Sequence, residues 1–362
     1  MKIGIVGLGL SGKTTLFNAL TGSQVETAAY SGKGEAHRAI VNVPDERLDA
    51  LNEIFKPRKK TPATIEYVDL AGISTAEQKK GGFSDQFLGL VRTVDALLVL
   101  LRHFADDAVP HPLESIDPLR DLKTIETDFI ISDLSIIENR MARLEKQMRT
   151  RKSDQDAQEY ELLQRCKKLL EEEKPLRMME MSREEQLLVR GYQFLSQKPV
   201  ILCLNIGEND IRREEEVLAP FAAYRSQPHT ALLAISAKIE MEILQLSPDE
   251  AELFREDLGI TESAMGRLIR TSYDLVGLIS FFTVGEDEVR AWTIRRNTPA
   301  PVAAGAIHTD IERGFIRAEV VHYNDFITRK SLAQCRADGV LRLEGRDYIV
   351  KDGDIINFRF AV

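Results

Sequence analysis

Apolar residues gather first at Ile3, Ile5 and Val6, break at a glycine-rich run, and resume as Leu16, Phe17, Ala19 and Leu20 at helical spacing. The pattern predicts strand, loop, helix. Further apolar runs at 63–72 ("ATIEYVDLAG"), 95–104 ("DALLVLLRHF") and 198–205 ("KPVILCLN") read as strands, and their alternation with helical segments predicts a parallel α/β sheet. Between the last two runs the period changes. Residues 123–149 and 155–174 set Ile130, Leu134, Ile137, Met141, Leu144 and Met148 three or four apart with charges elsewhere, which predicts two helices joined by the polar "RTRKSDQD". They form a helical hairpin inserted into the sheet domain. Residues 182–197 predict one more helix, opened by a capping box of Ser182 and Glu185. From residue 278 the segments "LISFFTV", "VRAWTIR", "FIRAEVVHY" and "RDYIVKDGDIINFRFAV" are strand-like, with Asp352-Gly353 as a turn between two of them. That end reads as a small separate α+β domain.

The first loop carries chemistry. Gly7, four residues, Gly12, Lys13 and Thr14 fit G-x-x-x-x-G-K-[ST] between a strand and a helix. Glycines let successive N–H groups and the helix N-terminus face phosphate oxygens. Lys13 would set a charge on the β and γ phosphates, and the Thr14 hydroxyl would ligate Mg²⁺.

Composition narrows the setting. The 362 residues have length for two or three domains, and 48 Lys and Arg stand against 57 Asp and Glu for a net charge of −9, which argues against a coat of nucleic acid. No DNA partner is expected. Cys166, Cys203 and Cys335 are widely spaced without a C-x-x-C pattern, so a disulfide framework or zinc site is not expected and a reducing, cytoplasmic compartment is. The longest strong apolar run, "ALLVLL" at 96–101, falls short of the roughly twenty residues of a membrane span, so no membrane association is expected.

Two later motifs continue the nucleotide reading. "DLAG" at 69–72 lets Asp69 hold Mg²⁺ through water while the Gly72 N–H senses the γ-phosphate. Ile73 then stands where many GTPases carry a water-orienting glutamine. "LNIGEND" puts Asn205 and Glu208 where guanine-specific enzymes have N-K-x-D; Glu208 is one methylene longer than the aspartate and Gly207 replaces the lysine that packs along the base. Strict GTP specificity is therefore not expected. "ISAKIE" at 235–240 resembles the S-A-K loop that backs the base, through Ser236 and Ala237.

Together with "EVRAWTI", "AAGAIHTDIERGFIRAEV" and "DYIVKDGDIINF", these motifs resemble the YchF group of Obg-related P-loop NTPases, the Obg-like ATPases, over essentially the whole chain. The resemblance implies a G domain in two pieces, 1–125 and 199–277, a coiled-coil insertion at 126–198 and a C-terminal TGS domain of β-grasp type at 278–362. It implies ATP as substrate with GTP tolerated, slow turnover, Mg²⁺ and ribosome association. By position, Gly9, Leu10, Ser11, Gly12, Lys13, Thr14 and Thr15 would wrap the phosphates, Ile206 would lie on the base beside Asn205, and Phe104 would stand near it. His111 matches a loop histidine proposed to replace the glutamine; a lone histidine is ordinarily a core or solvated residue.

The chain also departs from that pattern. Gly9, Leu10 and Ser11 replace the family's P-N-V, and "AAYSGKGEAH" at 28–37 lacks the metal-binding threonine of the first switch. Nucleotide binding survives such changes better than hydrolysis, which keeps a nucleotide-stabilised scaffold with negligible turnover, and a GTP-preferring enzyme, beside the slow ATPase. A metabolic P-loop kinase is disfavoured, since no lid pattern is present. Arg140, Arg143, Lys146, Arg149, Arg151 and Lys152 face only Glu138 and Glu145 near the hairpin tip, a patch suited to ribosomal RNA phosphates.

Overall fold

The computed structural model describes residues 1–22, 37–70, 83–151 and 153–361. Gly72, Ile73, Lys152 and all of 28–37 but its last residue lie outside the described residues. The strands among those described are β1 (Lys2–Val6), β2 (His37–Asn42), β3 (Lys59–Thr61), β4 (Thr64–Asp69), β5 (Ala96–Arg102), β6 (Val200–Asn205), β7 (Thr230–Ile235), β8 (Leu278–Thr283), β9 (Glu288–Arg295), β10 (Phe315–His322), β11 (Arg342–Glu344) and β12 (Asp354–Phe360). They fall into two compact units, Met1–Ala39 with Glu66–Leu268, and Ile40–Ile65 with Ile269–Val362.

The first unit is built on a sheet of order β2-β4-β1-β5-β6-β7, in which β1 pairs in parallel with both β4 and β5, β5 with β6, and β6 with β7. Every residue of β5 and β6 is buried, as strands covered on both faces must be. Because successive connections run to opposite sides of β1, the loop after it opens at the carboxyl edge where strand order reverses, the place open α/β sheets reserve for ligands.

The expected hairpin is present as helices Pro118–Thr150 and Asp154–Glu171. Asp117 caps the first by accepting from Arg120 N–H, with proline at the first turn, so the helix starts earlier than its apolar period. Ile130, Ile137 and Leu144 meet Leu162, Leu163 and Cys166 in one core. The Ser182–Glu185 capping box also forms, but its helix spans only Arg183–Val189 and does not reach residue 197. The chain tightens into a 3-10 turn at Arg190–Tyr192 and Gln193 adopts φ of 50°, which ends the helix and lets Phe194 join the hairpin core and Leu195 the sheet core.

The second unit has a sheet of order β11-β10-β12-β8-β9-β3. β8 is antiparallel to β9 and parallel to β12, and β10 is antiparallel to β12 and β11. Counting from β8, the order is second, first, fifth, third, fourth, the β-grasp arrangement, with Ala300, Ala303 and Ala304 of helix Ala300–Gly305 packed against Phe281, Val320 and Ile356. Its remaining strand, β3, runs parallel to β9, and Thr61 Oγ1 donates to Glu288 at 2.6 Å. Residues 40–65 group with this unit. One turn expectation needs correction. Gly353 has φ of 86° and does turn the chain into β12, but among the described residues the segment before it forms no strand, making an isolated bridge of Ile349 to Pro299. The buried Asp354 carboxylate accepts from Lys351 N–H at 2.8 Å and Tyr348 OH at 2.7 Å, which folds that segment into a loop rather than a hairpin strand.

Candidate nucleotide-binding site

Gly12 ends the loop after β1 with φ of 93° and serves as the N-cap of helix Lys13–Thr21, which has no side-chain cap. The N–H groups of that first turn are left for an incoming acceptor. A Cβ on Gly12 would stand 2.3 Å from Asn205 Nδ2, and one on Gly7 would stand 2.5 Å from Leu100 O, so both positions exclude a side chain. Leu10, where the family has asparagine, adopts φ of 61°, a strained left-handed conformation for leucine and an easy one for asparagine.

Lys13 Nζ donates to Gly7 O at 3.0 Å and Leu8 O at 2.7 Å, curled back on its own loop. Burial lowers its pKa to about 8, with the nearby Asp69 charge opposing the shift. The loop thus stores an under-solvated cation at the mouth of a helix. A phosphate supplies the charge it lacks.

Asn205 joins the phosphate loop to the base side. Its Nδ2 donates to Ser11 O at 2.9 Å, and its Oδ1 accepts from Ala237 N–H at 3.1 Å. Gly9, Leu10, Gly12, Lys13, Thr14, Thr15, Phe104, Asn205, Ile206, Glu208, Ser236 and Ala237 all line one cavity of about 650 Å³, within the range of small-molecule sites. Ser11 does not; it is 3 % exposed, gives its carbonyl to Asn205, and its hydroxyl has no partner among the described residues. Asp69, at the end of β4, is buried beside Lys13 rather than in the cavity wall. Gly72 lies outside the described residues. Sequence reasoning missed Ala105, Asp106 and Val109 in the wall, loop residues that carry no motif, and Leu70, Lys238 and Ile239, which stand within "DLAG" and "ISAKIE".

His111 is held away from the cavity wall. Its side chain is 3 % exposed, Nδ1 accepts from Leu113 N–H at 3.1 Å, and Nε2 lies 3.0 Å from Asp121 Oδ2. With Nδ1 accepting, Nε2 carries the proton and donates it to the carboxylate. Arg120 grips the other oxygen of Asp121.

A family model described as a 50S ribosome-binding GTPase matches residues 2–206, and the model of the YchF GTPase C-terminal region, described as a protein of unknown function, matches 278–361. The ribosome-binding ATPase YchF of Bacillus subtilis is 41 % identical over 100 % of both chains. The chain belongs to the YchF family of Obg-like ATPases. Within this YchF family, Obg-like ATPase 1 of Caenorhabditis elegans is 38 % identical over 99 % of this chain and 92 % of its own. The structure of the YchF GTPase of Schizosaccharomyces pombe superposes with a TM-score of 0.88 at 32 % identity, covering 99 % of this chain and 97 % of that one.

Proposed function

We propose that this protein binds and slowly hydrolyses ATP, tolerates GTP, and works as a conformational switch on the ribosome. The observation that carries the reading is the continuous cavity running from the uncapped helix at Gly12 to the wall of Ile206 and Glu208. The phosphates would lie on the loop N–H groups and Lys13, with the base between Phe104 and Ile206. Because both ends of the Asn205 amide are engaged in holding loops together, reading of the base edge falls mainly to Glu208 and backbone groups. ATP is expected to bind at least as tightly as GTP, and Glu208→Asp to move the preference toward GTP only in part, since Gly207 offers no stem along the base. Competition of both nucleotides for one fluorescent analogue tests this, and a clear wild-type preference for GTP would sink it.

Thr14 and Asp69 fit Mg²⁺: a hydroxyl in the cavity wall and a buried carboxylate near Lys13 are the hard oxygen donors such an ion takes beside phosphates. When bound, the ion neutralises charge on the β and γ oxygens. The Gly72 N–H would sense the γ-phosphate.

His111 remains the candidate for orienting the attacking water, after its loop swings free of Asp121 and Leu113. Under that reading His111→Ala lowers single-turnover hydrolysis and leaves ATP affinity unchanged. Equal rates in mutant and wild type would return it to holding Asp121.

For the ribosome, the hairpin tip is the proposed contact, with the TGS domain beside it. Arg140 is taken by Glu159, while Lys167 holds Glu138 and Tyr160 holds Glu145. Arg143, Lys146, Arg149 and Arg151 are exposed and make no ion pair among the described residues. Reversing Arg143, Lys146 and Arg149 to glutamate is expected to weaken nucleotide-dependent ribosome cosedimentation more at low salt than at high, because neutralised phosphates release counterions. Wild-type retention of the mutant would leave the tip without this role. No helix among the described residues is long and apolar enough to cross a membrane, and we assign the protein to the cytoplasm with its ribosomal partner.

A further inference from the structure

Arg102 ends β5 with 2 % of its surface exposed, a buried guanidinium with no ion pair among the described residues. An unpaired buried charge is costly, so its placement calls for a compensating set of contacts. Those contacts all lie on the loop that follows. Nε donates to Phe104 O at 3.2 Å, and Nη2 donates to Val109 O at 2.7 Å and reaches Asp106 O at 3.5 Å. The guanidinium carbon also lies 4.5 Å from the centre of the Phe104 ring, a cation–π contact. Nη1 is buried without a partner among the described residues.

The same loop is pinned from its other side. The N–H groups of His103 and Phe104 both donate to Asn205 O, at 2.9 and 3.1 Å. Phe104, Asp106 and Val109 are cavity wall, while Arg102 is not. The ring of Phe104 spans the space between the two loops: a Cβ on Gly12 would stand 3.9 Å from its Cε1, and one on Gly207 would stand 3.9 Å from its Cβ. Arg102 therefore works from behind the wall, holding the carbonyls of Phe104, Asp106 and Val109 and lying over the Phe104 ring.

We propose that Arg102 is the positioning residue of the base pocket, acting through Phe104 and the 104–109 loop to select a planar base while leaving the phosphate cradle untouched. This rests on the nucleotide reading of the cavity. A fork with several fixed donors is needed, which an ammonium on a flexible stem cannot supply. Losing the set of the ring weakens nucleotide binding by about tenfold or more, the scale on which base–aromatic stacking contributes.

The test titrates full-length wild type, Arg102→Met and Arg102→Lys by calorimetry with two probes, Mg·ATP and Mg·tripolyphosphate, the second having phosphates and no base. In both variants ATP affinity is expected to fall, by about tenfold for methionine and less for lysine, while tripolyphosphate affinity stays within about twofold of wild type. Unchanged ATP affinity, or equal losses for both probes, overturns the proposal. If the methionine variant fails to fold, the lysine variant decides by the same criterion. A failure of the nucleotide reading looks different: wild type itself would bind ATP no more tightly than tripolyphosphate, or bind neither.

Discussion

Lys13→Ala is expected to weaken Mg·ATP binding at least about a hundredfold. The side chain would place charge-assisted hydrogen bonds on two phosphates, each contributing roughly 1.5–3 kcal/mol, and about 1.4 kcal/mol is tenfold. The buried environment of Lys13 adds a pH signature. Its pKa in the free protein is lowered to about 8 from 10.5, so above pH 8 the free site holds a neutral amine while the bound site needs the ammonium. ATP affinity is then independent of this group below about pH 8 and falls as pH rises beyond it, with proton uptake on binding. For folding the sign is opposite: a depressed lysine pKa means the burial cost is present below pH 8 and relieved as pH rises toward 10.5, so the free protein gains stability across that window. Calorimetry in two buffers of different ionisation enthalpy reads the proton uptake. Unchanged affinity in Lys13→Ala, or an affinity flat between pH 8 and 9.5 in wild type, would contradict the account.

Asp133→Ala carries the largest expected effect on stability. This carboxylate of the long helix is fully buried and accepts from Leu195 N–H at 3.0 Å, Ser196 N–H at 2.8 Å and Ser196 Oγ at 2.8 Å, while Arg92 Nη1 lies 3.2 Å away. It ties the hairpin to the chain entering β6. Burial pushes its pKa up, against the opposing pull of those donors. Alanine leaves two backbone donors and the Ser196 hydroxyl without their acceptor and takes the carboxylate from Arg92, which keeps Gln193 O and Ser132 Oγ, a loss of about 3–5 kcal/mol. Urea unfolding monitored in the first unit should show the midpoint fall by that measure, whereas a shift below about 1 kcal/mol would mean water replaces the carboxylate without loss.

The elements that could be read from sequence were those whose signal is local. The strand, glycine loop and helix at the start, the two apolar-striped helices and the Ser182–Glu185 capping box each depend on residues a few positions apart, and each is present. What was not legible is long-range. β3 is three residues, Lys-Lys-Thr, with no apolar position, and it becomes a strand only because β9, over two hundred residues later, presents a free edge and Glu288. The helix predicted through residue 197 ends early in a 3-10 turn and a left-handed Gln193, so that Phe194 and Leu195 can enter different cores. The cavity shows the same division. The phosphate loop, Asn205 and Glu208 carry motifs, whereas Arg102 carries none, and only the return of the 104–109 loop over it reveals a buried fork. His111, suggested by position in the family, turned out to be locked to Asp121, a contact made by the first turn of a helix whose start the apolar period did not mark.

The most direct test of the central claim is single-turnover release of phosphate from γ-labelled ATP by excess wild-type protein with Mg²⁺, followed for hours beside Lys13→Ala. The account predicts a single exponential approaching one phosphate per ATP, at a rate on the order of 10⁻⁴ to 10⁻² per second as for switch NTPases without a supplied arginine, with the mutant flat. Tight ATP binding with no phosphate released would contradict it and leave a nucleotide-stabilised scaffold.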